Sequence, residues 1–204
     1  MPDKLSIGVP IGDLRPTQMT VGFREVKIKL NEWQHADAKE RSKILRSHVA
    51  PVVVGPKGHY YLIDHHHFVA ALRQAKASDV GVYVVADLSG LEKDEFWSFL
   101  DNSDWCHAYD ADGRRRELSQ IPKSLARLTD DPFRSLVAEL IRAGGCPKSD
   151  RPFYEFLWAD FLRRRMDREV ILNDFNAALN KALKLAMSEE AKSLPGWVGK
   201  RKIG

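Results

Sequence analysis

The sequence predicts an α+β fold: a small mixed β-sheet with helices over residues 1–101, followed by a helical domain over 102–204. Three observations predict it. Short β-branched runs alternate with helical patterns in the first half, as in a sheet covered by helices. A polar, irregular stretch over 102–122 marks a soft boundary. Beyond that stretch, apolar residues recur almost everywhere at helical spacing.

The first third of the chain predicts one strand and two helices. Residues 5–9 read as a short strand, and 13–18 as a polar turn because Pro16 restricts the residue before it. Apolar residues recur at helical spacing over 21–33 and 37–49, so each range predicts a helix.

A β-hairpin is predicted at 52–63. It combines the β-branched run 52–54, the turn sequence Gly-Pro-Lys-Gly at 55–58 and a returning strand at 60–63. The other predicted elements are helices at 65–76 and 91–100, a buried strand at 81–86, and helices at 132–143, 153–166 and 170–188. Asp131 is the predicted N-cap of the first of those last three helices, with a proline at its first position.

Composition and charge set broad limits on function. The chain is 44% hydrophobic with a net charge of +4, which permits nucleotide or nucleic-acid binding without requiring it. Its basic runs, 114–116, 163–165 and 200–202, show no aromatic interleaving. No apolar run approaches the roughly 20 residues of a membrane span, and no secretion signal begins the chain, so we expect a cytoplasmic protein with no membrane partner. Cys106 and Cys146 are then expected to be reduced thiols.

The most informative stretch is the run Asp64-His65-His66-His67. It stands where a strand ends and a helix begins, so Asp64 is the predicted N-cap. The free N–H groups of the first helical turn favour an anion. Imidazoles there could donate to phosphate oxygens or transfer a proton near neutral pH.

Two other interpretations of this run stay open. Successive helical residues point about 100° apart, so three adjacent histidines cannot all reach one small ligand, and a structural role is one alternative. A metal site is another, although helical ligand pairs usually stand four residues apart.

The pattern of strand, turn, strand and then an Asp-x-His-His turn before an alanine-rich helix resembles ParB/sulfiredoxin-like domains. Residues 14–18 resemble the polar segment that follows the first strand of that superfamily, and residues 130–136 and 155–163 resemble its ParB-like nuclease subfamily. The resemblance covers nearly the whole chain. It implies that the turn and helix N-terminus bind nucleotide phosphates; relatives include DNA-partitioning CTPases, sulfinic-acid reductases, free-serine kinases and proposed nucleases.

The chain departs from the family at several positions. His65 stands where relatives often have glycine, and Phe68 where they have a phosphate-binding arginine, which Arg15 or Arg73 would have to replace. Gln18 stands near the carboxylate base of the kinases and cannot take a proton. No cysteine precedes Cys106, which argues against reductase activity.

The helical half offers a second candidate group, Glu155, Asp160 and Arg163 on one predicted helix. Asp160 and Arg163 are three residues apart, so a surface or interdomain ion pair is the simpler interpretation. The group Asp130, Asp131 and Arg134 similarly predicts helix capping with a local pair.

The sequence therefore predicts a nuclease or a nucleotide-phosphate hydrolase. His66 is the first candidate acid/base and His67 the second, while Asp64 orients them or holds Mg²⁺. The remaining candidates, assigned to binding ATP, ADP or CTP, are His65, Arg15, Gln18 and Arg73. A nucleotide-dependent small-molecule kinase and a non-catalytic nucleotide- or DNA-binding switch remain alternatives, and the oligomeric state is left open.

Overall fold

The computed structural model describes residues 6–199. Residue 5 of the first predicted strand and the basic run 200–202 lie outside this range. Among the described helices, none is both long enough and apolar enough to cross a membrane. Cys106 and Cys146 are not bridged to each other, as predicted, and both are buried.

A five-stranded mixed sheet organises the first half, and a second, two-stranded parallel sheet lies beside it. The strands are Ile7–Pro10 (β1), Leu14–Pro16 (β2), Thr20–Val21 (β3), Ala50–Val54 (β4), Tyr60–Leu62 (β5), Asp79–Asp87 (β6) and Thr129–Asp130 (β7). The order in the large sheet is β1-β6-β4-β5-β2, and β3 pairs with β7. The predicted hairpin is confirmed, since Val52 pairs with Leu62 and Val54 with Tyr60 across an antiparallel ladder.

Two strand predictions need correction. Residues 14–16 belong to a strand rather than a turn, because β2 pairs in parallel with β5 and buries Leu14 and Pro16. Proline is tolerated there because β2 is an edge strand. The strand predicted at 81–86 is not buried throughout: Val84 is 44% exposed and Val85 41%. β1 pairs only with the first part of β6, Asp79 to Val82, so the rest of β6 lies at an edge of the sheet.

The described helices follow the predicted order. They are Phe23–His35 (α1), Ala38–Ser47 (α2), His66–Gln74 (α3), Lys93–Asn102 (α4), Pro132–Arg142 (α5), Tyr154–Arg163 (α6), Arg168–Asn173 (α7) and Phe175–Ala186 (α8). Asp131 caps α5, as predicted. The single helix predicted at 170–188 is wrong, because Asp174 leaves helical geometry at φ −144° and its carboxylate caps α8 by accepting from Ala177 N–H.

Both faces of the large sheet are covered, which explains the unbroken valine run. Val52 packs into a core shared with α1 and α3, whereas Val53 points to the opposite side, against Phe96 and Leu100 of α4. A third core, built around Trp158, lies within the helical half.

Contacts between distant segments join the sheet half to the helical half. Besides the β3–β7 pair, Arg142 of α5 forms an ion pair with Glu25 of α1 at 2.8 Å. A Cβ atom on Gly22 would collide with the Ser135 hydroxyl, so the start of α1 needs glycine to approach α5. These contacts fix the start of α5 against strand-end residues 18–22. The boundary at 101/102 stays a prediction.

Candidate functional site

The Asp-His-His-His turn connects β5 to α3, but its N-cap is His65 rather than the predicted Asp64. His65 has a left-handed backbone (φ 64°), and Asp64 Oδ1 accepts a hydrogen bond from His65 N–H at 2.6 Å. Asp64 thus stabilises the turn one residue before the N-cap. A left-handed conformation costs a non-glycine residue about 1–2 kcal/mol, which explains why glycine suits this position.

His66 is buried and works as a hydrogen-bond acceptor. Its Nε2 accepts from the backbone N–H of Thr17 at 3.2 Å, so the ring proton belongs on the buried Nδ1. Burial, with a smaller contribution from the charge of Arg134, lowers the pKa of His66 to about 3. A side chain held neutral in this way is a poor acid/base near neutral pH, contrary to our expectation.

His67 has the same function one position later. Its Nε2 accepts from Gly22 N–H at 2.9 Å, and burial holds the pKa of His67 well below its usual range. The two imidazoles therefore join the first turn of α3 to the segment 17–22. This geometry favours the structural interpretation for both side chains over the proton-transfer role.

The two arginines proposed to grip phosphate lie elsewhere. Arg15 contacts His59, with Nη2 and Nε2 2.8 Å apart, and lines separate depressions of the surface. Arg73 is exposed in the last turn of α3. It lies roughly 10 Å along the axis from the helix N-terminus, at a rise of about 1.5 Å per residue. Neither replaces the family's phosphate-binding arginine at the turn.

A cleft of about 500 Å³ lies where the turn meets the helical half. Gln18 and Asp64 line it from the sheet side, and Arg134 and the segment 149–156 line it from the helical side. The structure thus brings two of the predicted residues together, with an arginine between them. A volume of this order is ordinary for small-molecule and cofactor sites.

Arg134 is the central residue of this cleft. It is only 6% exposed, and its Nη1 donates to Gln18 Oε1 at 2.9 Å and to the Thr20 carbonyl at 2.7 Å. Its guanidinium lies over the Phe156 ring at 4.0 Å. No carboxylate of the described chain forms an ion pair with it, and its buried Nε has no hydrogen-bond partner there.

Leaving a buried cation unpaired is costly, so this guanidinium indicates an anion site. Desolvation lowers the pKa of Arg134, and the negative charges of Glu155, Asp131 and Asp64 oppose that shift. The expected local pair with Asp131 is absent, because Asp131 Oδ2 accepts instead from Arg163 Nη2 at 2.6 Å. The missed sequence signal was an arginine inside the apolar face of a helix, between Phe133 and Leu136.

The charge balance of the cleft restricts its ligand. Four carboxylates and two guanidiniums line it, a net charge of −2 before any ligand binds: Asp64, Asp104, Asp150 and Glu155 against Arg134 and Arg151. A phosphate would therefore need a cation with it. Within residues 6–199, no three His, Cys, Asp or Glu side chains are grouped to hold a metal. Mg²⁺ is commonly held by one or two carboxylates together with phosphate oxygens, which this lining could supply.

The mixed sheet, its strand-to-helix turn and the attached helical half define a ParB-like α+β protein. The chain belongs to the family described as putative ParB-like nuclease, whose model matches residues 7–164, and this confirms the predicted membership. It is similar to protein Atu1540 from Agrobacterium tumefaciens, with 48% identity over 96% of this chain and 98% of that one, and a TM-score of 0.89.

A more distant likeness is to the C-terminally truncated chromosome-partitioning protein ParB from Caulobacter crescentus, solved with CTP-gamma-S. The identity is 11% over 91% of this chain and 94% of that one, and the TM-score is 0.34, too low to bear on function. No curated protein matches the chain.

Proposed function

We propose that this chain hydrolyses a phosphate ester, as a nuclease or a nucleotide hydrolase, in the cleft around Arg134 and with a divalent cation. The observation that carries the proposal is the buried guanidinium of Arg134, which has no carboxylate partner and lines a cleft rich in carboxylates. One ligand that satisfies both charges is a phosphate accompanied by Mg²⁺.

The roles differ from those expected for the histidines. Arg134 would bind the phosphate, since Gln18, Thr20 and Phe156 hold its guanidinium in place. Asp64 and Glu155 would hold the cation or position the attacking water, because both line the same cleft from opposite sides. His66 and His67 would maintain the turn that presents Asp64.

The two alternative functions differ in their support. Gln18 cannot take a proton, and its amide oxygen already accepts from Arg134, so the kinase gains nothing from the geometry. The non-catalytic switch gains one observation: neither His66 nor His67 is available as a base, because each ring accepts a backbone N–H.

The test compares Arg134→Met with Arg73→Met, an arginine on the exposed end of α3. Binding and turnover of single-stranded DNA, duplex DNA, ATP, ADP and CTP would be measured with and without Mg²⁺. A hydrogen bond to a charged group contributes about 1.5–3 kcal/mol, so we expect Arg134→Met to weaken phosphate binding by about 10- to 100-fold. Arg73→Met should match the wild type.

Thermal unfolding would show whether Arg134→Met still folds, and Arg134→Lys, which keeps the charge but loses the planar fork, serves as the second variant. Turnover lost in Asp64→Asn with Mg²⁺ present would support hydrolysis. Tight binding without turnover of any substrate would assign the switch instead. Equal binding by wild type and both Arg134 variants would refute the anion site.

A further inference from the structure

A second chamber of about 560 Å³ adjoins the Arg134 cleft. We define it by the side chains of His107, Tyr109, Arg115, Phe153 and Arg163, all of which line it. The two cavities share a wall that includes Asp104, Arg151, Phe153 and Phe156. A ligand that extends beyond a phosphate could therefore pass from one into the other.

Aromatic rings from two distant segments meet in the second chamber. The His107 ring stacks on Tyr109 with centroids 4.4 Å apart and an interplanar angle of 20°. Phe156 and Phe153, at the start of α6, approach the same imidazole at 3.7 Å and 4.9 Å. The sequence showed no aromatic interleaving, because these rings come together only when α6 packs against the loop that contains His107.

The charged groups of the chamber are largely paired with one another. Arg163 Nη2 lies 2.6 Å from Asp131, and Arg115 Nη2 lies 2.5 Å from Asp101. Burial, together with the charges of nearby arginines, lowers the pKa of His107 to about 3, so its ring is neutral near pH 7. Balanced charge and aromatic walls favour an uncharged planar ring with polar edges over a second phosphate.

Phe153 stands at the junction of the two cavities in a left-handed backbone conformation, with φ 55°. Bulky residues rarely adopt this conformation, and such local strain clusters at ligand sites. The backbone here places a phenyl ring on the wall that both cavities share.

We propose that the second chamber binds a nucleobase whose phosphate lies in the Arg134 cleft. This inference rests on the proposed function and adds the place where the base of the nucleotide or nucleic-acid substrate binds. The base belongs either to a free nucleotide or to a single-stranded nucleic acid, because a paired base in a duplex has its faces covered by stacking.

The experiment isolates the contribution of the base. Dissociation constants would be measured with Mg²⁺ for ribose 5-phosphate and for AMP, GMP, CMP and UMP, using wild type, Phe153→Leu and the control Phe99→Leu. Phe99 is an exposed aromatic residue on α4 that does not line the second chamber. Base stacking on aromatic side chains should make at least one nucleotide bind about tenfold tighter than ribose 5-phosphate to wild type.

Phe153→Leu should bring the ratio of the two dissociation constants, ribose 5-phosphate over nucleotide, close to one. Phe99→Leu should keep the ratio found for wild type. Leu157→Trp, at a 38% exposed position of the chamber wall, should reduce it too by filling space, and it tests the idea if Phe153→Leu does not fold. Short single-stranded oligonucleotides show whether the bound base belongs to a nucleic acid or to a free nucleotide. If they bind tighter than every mononucleotide, the ligand is a nucleic acid; if they bind equally, it is a free nucleotide.

Two failures are distinguishable. The inference is wrong, and the proposed function stands, if ribose 5-phosphate binds in an Arg134-dependent way while no base adds affinity. The same holds if neither Phe153→Leu nor Leu157→Trp changes the preference for a nucleotide over ribose 5-phosphate. Should ribose 5-phosphate, the nucleotides and the oligonucleotides all fail to bind, the proposed function is wrong and the inference falls with it.

Discussion

Replacing His66 with glutamine should make the free energy of unfolding depend less on pH below neutrality. Burial, with a further contribution from the charge of Arg134, lowers the pKa of His66 from 6.5 to about 3 in the folded chain. In the unfolded chain the imidazole regains its ordinary pKa and binds a proton more readily. Stability from this group is therefore fully present above pH 6.5 and is lost as the pH falls from 6.5 toward 3.

The size of the effect follows from the same shift. Each pH unit below the unfolded pKa lowers the free energy of unfolding by about 1.4 kcal/mol for one such histidine. At about pH 5, His66 alone therefore lowers the free energy of unfolding by about 2 kcal/mol. A glutamine side chain has a carbonyl oxygen that can accept the Thr17 N–H in place of Nε2, and it does not titrate. The variant should therefore lose about 2 kcal/mol less than wild type between about pH 7.5 and 5.

The assay is urea denaturation followed by tryptophan fluorescence at several pH values across this window. His35→Gln is the matched control, because His35 is exposed on α1, and its curve should parallel that of wild type. Parallel curves for wild type and His66→Gln would refute the reasoning. An NMR titration that gives His66 a pKa near 6.5 in the folded protein would refute it too, and His66 would again be a candidate acid/base.

Two further substitutions test backbone geometry. His65→Gly should leave the free energy of unfolding unchanged or raise it by about 1 kcal/mol, because glycine accepts φ 64° without strain; a clear loss in denaturant titrations would contradict this. Gly22→Ala should lower the free energy of unfolding by about 1–3 kcal/mol, since its Cβ would collide with Ser135 Oγ. Gly8→Ala, with open space around it, is the control, and equal melting temperatures for the two alanine variants would count against the close approach.

Elements that depend on near neighbours could be predicted from the sequence. The hairpin at 52–63 followed from a β-branched run and a Gly-Pro turn, and the start of α5 followed from Asp131 and the proline after it. The position of the strand-to-helix turn at 63–66 was equally local. Periodicity, turn chemistry and capping act over a few residues, so one segment contains all the information they need.

Elements that depend on a distant partner were missed. β2 is three residues long and ends on Pro16, and only its pairing with β5 makes it a strand. The break at Asp174 was hidden because apolar spacing continues through it, although an aspartate that caps α8 marks the boundary. Weak local signals of this kind are decided by what packs against them.

The candidate site divides in the same way. The sequence alone was enough to locate a polar turn with Asp64 at its start. It was also enough to identify the family on which the phosphate hypothesis depends. Tertiary structure decided that His66 and His67 accept backbone N–H groups, while Arg134, 116 residues after Gln18, lies beside it in the cleft. Burial and partnership fix what an imidazole or a guanidinium can do, and both depend on segments that are far apart in the chain.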